Sequence, residues 1–140
     1  MGACRAAQDG EPIELPAGQP RALLTFLLLQ PGCTALRSVI AEQLWPDAAP
    51  DRVRRHLTDT LYRLRRALHP ALLIADAEQI ALDLTQQWWV DVWEFLHATR
   101  SPDAAERARG LALYTADLAP ELTDAWILPH RARLQSHFIQ

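Results

Sequence analysis

The chain has 140 residues, 49% of them hydrophobic, and a formal net charge of −3, enough to bury a core in one domain or in one small domain plus part of another. Cys4 and Cys33 have neither the number nor the spacing of a disulfide framework or a zinc site, and they suit a reducing cytoplasm. No apolar run approaches the roughly 18 residues of a membrane helix, and MGACRAAQDGEP lacks the apolar core of a signal peptide, so a cytoplasmic protein with no membrane partner is expected.

Strand signals open the chain, at Cys4 to Ala7 and Ile13 to Leu15, separated by the turn Gln8-Asp9-Gly10-Glu11. Pro20 at a helix start and Pro31-Gly32 at its stop predict a short, largely buried helix from Arg21 to Gln30. A second helix is predicted over roughly Ala35 to Leu44, with Val39, Ile40 and Leu44 inward and Glu42 and Gln43 outward, closed by Trp45-Pro46.

A long helix follows the loop Pro46 to Pro50, with Asp47 and Asp51 as candidate N-caps. Val53, Leu57, Leu61, Leu64 and Leu68 recur at the spacing of one buried stripe, which turns Arg52, Arg55, Asp59, Tyr62, Arg63 and Arg66 outward. From Pro50 to Pro70 there are six arginines and two acids, a local +4, whereas residues 1–49 and 71–140 carry −2 and −5. A mildly acidic chain that gathers its positive charge on one helix has a directed electrostatic footprint. Such a helix can be laid on a phosphate backbone or into a major groove; a solvated charged face is the plainer alternative. All basic residues are Arg and none is Lys. Arginine suits bidentate phosphate and guanine contacts, although a GC-rich genome explains the usage more cheaply.

Beyond His69-Pro70, LLIADAEQIALDL predicts a β-hairpin from about Leu72 to Leu84 whose turn contains no Gly. Short N-terminal β-strands, three helices and a C-terminal hairpin wing spell an α+β winged helix-turn-helix; a generic small α+β domain is the broader alternative. From Asp91 the chain reads as helical: Asp91 to Thr99, then a segment with Ser101 as N-cap and Pro102 at N1 running to about Ala116, then a third opened by Asp124. The cluster Trp88, Trp89, Trp93 and Phe95 is expected to pack the joint between two units, with a base-stacking platform as the alternative.

These segments resemble a known family. GACRAAQDGEPIELPAGQPRALLTFLLLQPG, LWPDAAP and LYRLRRAL are similar to the OmpR-type winged-helix domain of bacterial transcriptional activators of the antibiotic-regulatory-protein (SARP) type. DVWEF, LALYTADLAPEL, AW and RARL resemble the start of the bacterial transcriptional activator domain, a helical tetratricopeptide-like module. The resemblance implies a winged-helix DNA-binding domain over 1–89 and the beginning of an incomplete helical repeat module over 90–140. It makes Pro50 to His69 the recognition helix and Leu72 to Leu84 the wing.

On that pattern Arg63, with Asp59 one turn earlier, reads base edges. Arg55, Tyr62 and Arg66 hold phosphate oxygens, with Arg52 on the same outward face; His56 and Arg65 sit at the flanks and could contact DNA or not. The loop Trp45 to Asp51, with Pro46, Asp47 and Pro50, corresponds to a segment that can face RNA polymerase. Double-stranded DNA, in promoter direct repeats, is the implied partner, and the expected function is sequence-specific transcriptional regulation, by activation.

The chain departs from the pattern in three places: the N-terminal sheet, the wing, and Asp59 in the middle of the reading face, which can accept from a cytosine amino group but is unfavourable for nonspecific binding. Gln79-Ile80 stands where the wing usually has Gly-Tyr, and the wing tip carries Asp76 and Glu78, which repel phosphate. The N-terminal sheet is expected to be shortened, and the chain is expected to be a fragment of a longer regulator. Leu134, Phe138 and Ile139 then need a covering surface, which makes a homodimer one expectation.

A winged helix turned protein-interaction module is the competing reading, supported by overall acidity and the acidic wing. An enzyme is not expected: His56, His69, His97, His130 and His137 lack ligand spacing, and phosphate-loop and nucleophile-elbow motifs are missing. No metal site and no cofactor are implied. His130 and His137 read as surface or capping residues, and Asp117, Glu121 and Asp124 as caps and solvated acids.

Overall fold

The computed structural model describes residues 5–8, 10–14, 17–86, 88–114, 118 and 125–139. Cys4, Leu15, Ala116, Asp117, Glu121 and Asp124, named above as strand, helix or acidic-cluster positions, lie outside the described residues. The described elements are mixed α and β, with two small antiparallel sheets and helices α1 (Gln19–Leu29), α2 (Arg37–Leu44), α3 (Pro50–Ala67), α4 (Asp91–Thr99), α5 (Ala104–Leu111) and α6 (Leu128–Ile139). The chain divides into two compact units, Ile13–Gln87 and Met1–Pro12 with Trp88–Gln140.

In the unit Ile13–Gln87, α1 carries Pro20 in its first turn, as expected, and ends where Gly32 takes a left-handed φ of 66° that a side chain would strain. Its residues are buried nearly all round, including Thr25, and it packs against α2, α3 and β5. Cys33 is buried, and desolvation pushes its thiol up, so it stays a neutral apolar group.

The second helix begins later than its apolar pattern suggests. Thr34–Leu36 form a strand, β3, that pairs antiparallel with β5 (Gln79–Leu82), and β5 pairs in turn with β4 (Leu73–Ala75), giving the sheet order β3-β5-β4. The side chains of Ile40 and Leu44 are buried, but Val39, expected inward, is 38% exposed. Ile40 and Leu44, four residues apart, set the inner face of α2, and Val39 lies about 100° round the helix from Ile40, off that face.

The hairpin closes without glycine because Asp76 builds the turn itself. Its Oδ1 accepts hydrogen bonds from the Glu78 and Gln79 amides, both at 2.8 Å, and its own amide donates to the Gln79 carbonyl at 3.0 Å. Arg37 anchors this turn from the start of α2, its Nε donating to the Asp76 carbonyl at 2.7 Å and its amide to the Glu78 carbonyl at 2.8 Å. The Gln79 and Glu78 amides hold the Asp76 carboxyl below its ordinary pKa, so the turn keeps its negative charge to a lower pH than a free carboxylate would.

In the other unit, β1 (Ala6–Gln8) pairs antiparallel with β2 (Glu11–Pro12) and with β6 (Trp88–Val90). That pairing gathers the first residues with the C-terminal segment. Trp88 and Trp89 are strand residues here, and Trp89 is 41% exposed. α4 packs against α5 and α6 around Val92, Phe95, Ala98, Trp126, Ile127 and Leu134.

The cap of α5 is Asp103, whose Oδ1 accepts from the Ala105 amide at 2.9 Å, rather than the expected Ser101. Ser101 instead donates its hydroxyl to Glu106 Oε2 at 2.6 Å. Leu134 is fully buried, and Phe138 stacks on Tyr114 with centroids 4.5 Å apart while staying 43% exposed. His130, expected as a surface or capping residue, is half-buried in a T-shaped arrangement with Trp126, centroids 6.4 Å apart.

Among the described residues no helix is long and apolar enough to cross a membrane.

Candidate nucleic-acid interface

The site is built on α3. Pro50 occupies the first helical position with Ala49 as N-cap, so neither Asp47 nor Asp51 caps the helix. Proline fixes the helical φ and lacks an N–H that would otherwise go unpaired, so the helix starts favourably here without a side-chain cap. Asp51 still lies in the first turn and Arg65 and Arg66 in the last, each favourable to the helix dipole.

Leu57, Leu61 and Leu64 are buried, with Leu68 just past the helix end and Val53 only partly covered. Burial of such leucines contributes roughly 1.5 to 3 kcal/mol each. Thr60, at 2% exposure, shares the inward face, a position the apolar pattern does not announce.

Once the stripe is fixed inward, the helical repeat of about 100° per residue fixes the rest. Arg52, Arg55, Asp59, Tyr62, Arg63, Arg65 and Arg66 are all exposed. Arg55, Asp59, Tyr62 and Arg66 lie nearly opposite the stripe. Arg63 and His56 share one flank, and Arg54, Thr58 and Arg65 the other.

Arg66 places its guanidinium carbon 5.8 Å from the centre of the Tyr62 ring, a cation–π contact that orients both side chains. Arg54 pairs with Asp51 at 3.4 Å with both side chains solvated, a pair worth little to stability. Among the described residues no ion pair engages Arg52, Arg55, Arg63, Arg65 or Arg66. Their guanidinium donors face solvent, in the planar geometry that matches phosphate oxygens or the guanine edge. Arg54, Arg55, Thr58, Asp59 and Tyr62 line a shallow open depression along this face. Arg54 and Thr58 extend the exposed face beyond the residues singled out from sequence; Arg54 stands seven residues before the buried Leu61, within about 20° of it round the helix, so periodicity alone does not find it.

The loop between α2 and α3 exposes Pro46 and Asp47, and Pro50 is exposed at the first position of α3. Trp45 caps the end of α2, its amide donating to the Ala41 carbonyl at 3.0 Å. Its indole stacks on His56, with ring centroids 5.7 Å apart and planes 19° from parallel. Sequence spacing gives no hint of this pair, because the two residues sit in different elements.

No family model matches the chain. Over 128 residues, 90% of its length, the chain is 30% identical to the protein named "Regulatory protein AfsR" of Streptomyces coelicolor (strain ATCC BAA-471 / A3(2) / M145). The matched region is 13% of that protein. The chain is thus similar to one segment of a much longer regulatory protein.

Proposed function

We propose that this chain is the DNA-reading part of a cytoplasmic transcriptional regulator of the SARP type, acting as an activator. In this reading residues within 1–89 form a winged helix-turn-helix, with α2 and α3 as its two helices and the β4–β5 hairpin as its wing. Residues 90–140 begin a tetratricopeptide-like module. The observation that carries the proposal is the exposed arginine face of α3, set opposite a buried leucine stripe. Similarity to a segment of a regulatory protein supports it.

α3 lies in the major groove. Arg63 reads a base edge, with Asp59 accepting from a cytosine amino group, and Arg52, Arg55, Tyr62, Arg65 and Arg66 hold phosphate oxygens. The hairpin turn, with Asp76 and Glu78 exposed and Asp76 held ionised, stays clear of the phosphates. Pro46, Asp47 and Pro50 offer a surface to RNA polymerase. Copies bind promoter direct repeats, with a homodimer as the assembled form.

Fluorescence anisotropy with a randomised duplex pool at two salt concentrations, followed by sequencing of the bound fraction, tests the reading. Enrichment of a short motif is expected, with each neutralised phosphate adding about 0.9 to the log-log salt slope. The acidic hairpin turn favours one second reading, a winged helix that docks a partner protein. A folded protein that binds no duplex even at low salt would overturn the DNA reading and leave that second reading in its place.

A further inference from the structure

We infer that Trp45 and His56 form a positioning clamp that sets the approach of α3 to DNA, and that His56 acts through this stack and not as a phosphate contact. The inference rests on the DNA reading above.

The α2–α3 loop is tied locally along its backbone, by the Ala48 amide to the Trp45 carbonyl at 3.3 Å and the Ala49 carbonyl to the Val53 amide at 3.0 Å. The Trp45–His56 stack reaches further, joining the last turn of α2 to the second turn of α3. His56 and Arg63 are seven residues apart, so they share a helix flank within about 20° and stand roughly 10 Å apart along the axis. The clamp therefore grips the same flank that presents the proposed base-reading arginine.

Trp45 is partly buried and its backbone is fixed by the cap, so it is the stationary half of the pair; His56 is exposed and rides on α3. Holding His56 against the indole fixes the angle between the loop and α3. A reading side chain misplaced by an ångström loses its bidentate geometry to a base edge, whereas a flexible phosphate contact tolerates the shift. Loss of the clamp should therefore reduce discrimination between DNA sequences more than general affinity.

The test uses His56→Ala and His56→Phe in the full chain, with affinity for the selected motif and for random duplex measured across a salt series. His56→Ala removes the stack from the solvent side, and His56→Phe keeps an aromatic ring on Trp45 with no hydrogen-bonding nitrogen. For a clamp, His56→Ala lowers the ratio of specific to random affinity roughly two- to tenfold, the span of an aromatic pair. His56→Phe restores the ratio, and both variants keep the wild-type salt slope.

Affinity for specific and random duplex lowered to a similar degree in both variants would make His56 a phosphate contact and overturn the clamp. An unchanged ratio in His56→Ala would also overturn it, leaving the stack as surface packing. Wild-type protein that binds no duplex overturns the DNA reading itself, and the clamp with it.

Discussion

Gly110 of α5 packs directly against Ala98 of α4, so close that a Cβ on Gly110 would overlap the Ala98 methyl group. Alanine has no rotamer through which to withdraw, so any side chain at 110 must push the two helices apart. Gly110→Ala gains about 1 kcal/mol of helix propensity, but overpacking at a fixed contact costs roughly 1 to 3 kcal/mol. Net destabilisation is expected, larger for Gly110→Val, with partial recovery when Ala98→Gly is combined with Gly110→Ala. Urea unfolding of the four proteins decides it, and an equally stable Gly110→Val would show that the helices do not meet there.

Leu61 and Tyr62 are neighbours on α3 with opposite environments, 6% and 60% exposed. Leu61→Ala should cost roughly 2 to 5 kcal/mol of folding stability, while Tyr62→Ala should stay within about 0.5 kcal/mol of wild type. Chemical denaturation measures both. Similar losses in the two variants would mean that the helix is rotated from the phase described.

The phase of α3 was legible because leucine spacing reports a helical stripe directly, and the outward arginines follow from it. β3 was not legible, because Thr34–Leu36 are too few to show alternation and become a strand only through pairing with Gln79–Ala81, more than forty residues later. The hairpin was legible as two apolar runs, yet its turn chemistry was hidden: Asp76 supplies through its carboxylate what glycine supplies through backbone freedom. On the candidate site, charge and periodicity marked the arginines, but Thr60 inside and the Trp45–His56 stack depend on how two elements meet. Local spacing carries no record of that meeting.

Arg63 and Arg66 separate the two kinds of DNA contact proposed for α3. Arg63→Ala should cost about 1 to 3 kcal/mol on the selected site and relax preference at one base position. Arg66→Ala should weaken all duplexes alike and lower the salt slope by about 1; it also removes the guanidinium from the Tyr62 ring. Competition assays against single-base variants of the motif distinguish them. Equal loss on specific and random DNA for Arg63→Ala would remove it from base reading.

His130 introduces a pH dependence into the unit that contains α6. Burial against Trp126 and, secondarily, the charge of Arg133 hold its pKa below the ordinary value of 6.5. The folded state therefore disfavours the imidazolium. The neutral ring's contribution is fully present above the ordinary pKa and is lost as pH falls through the depressed one. His130→Phe keeps an aromatic edge on Trp126 and cannot take a proton. Between about pH 7.5 and pH 5, a range that spans the ordinary histidine titration, wild type should lose more stability than His130→Phe. Thermal melts followed by tryptophan fluorescence give the comparison. Parallel pH profiles for the two proteins would mean that His130 titrates in the folded chain as it does unfolded, and that the Trp126 contact does not shield it from water.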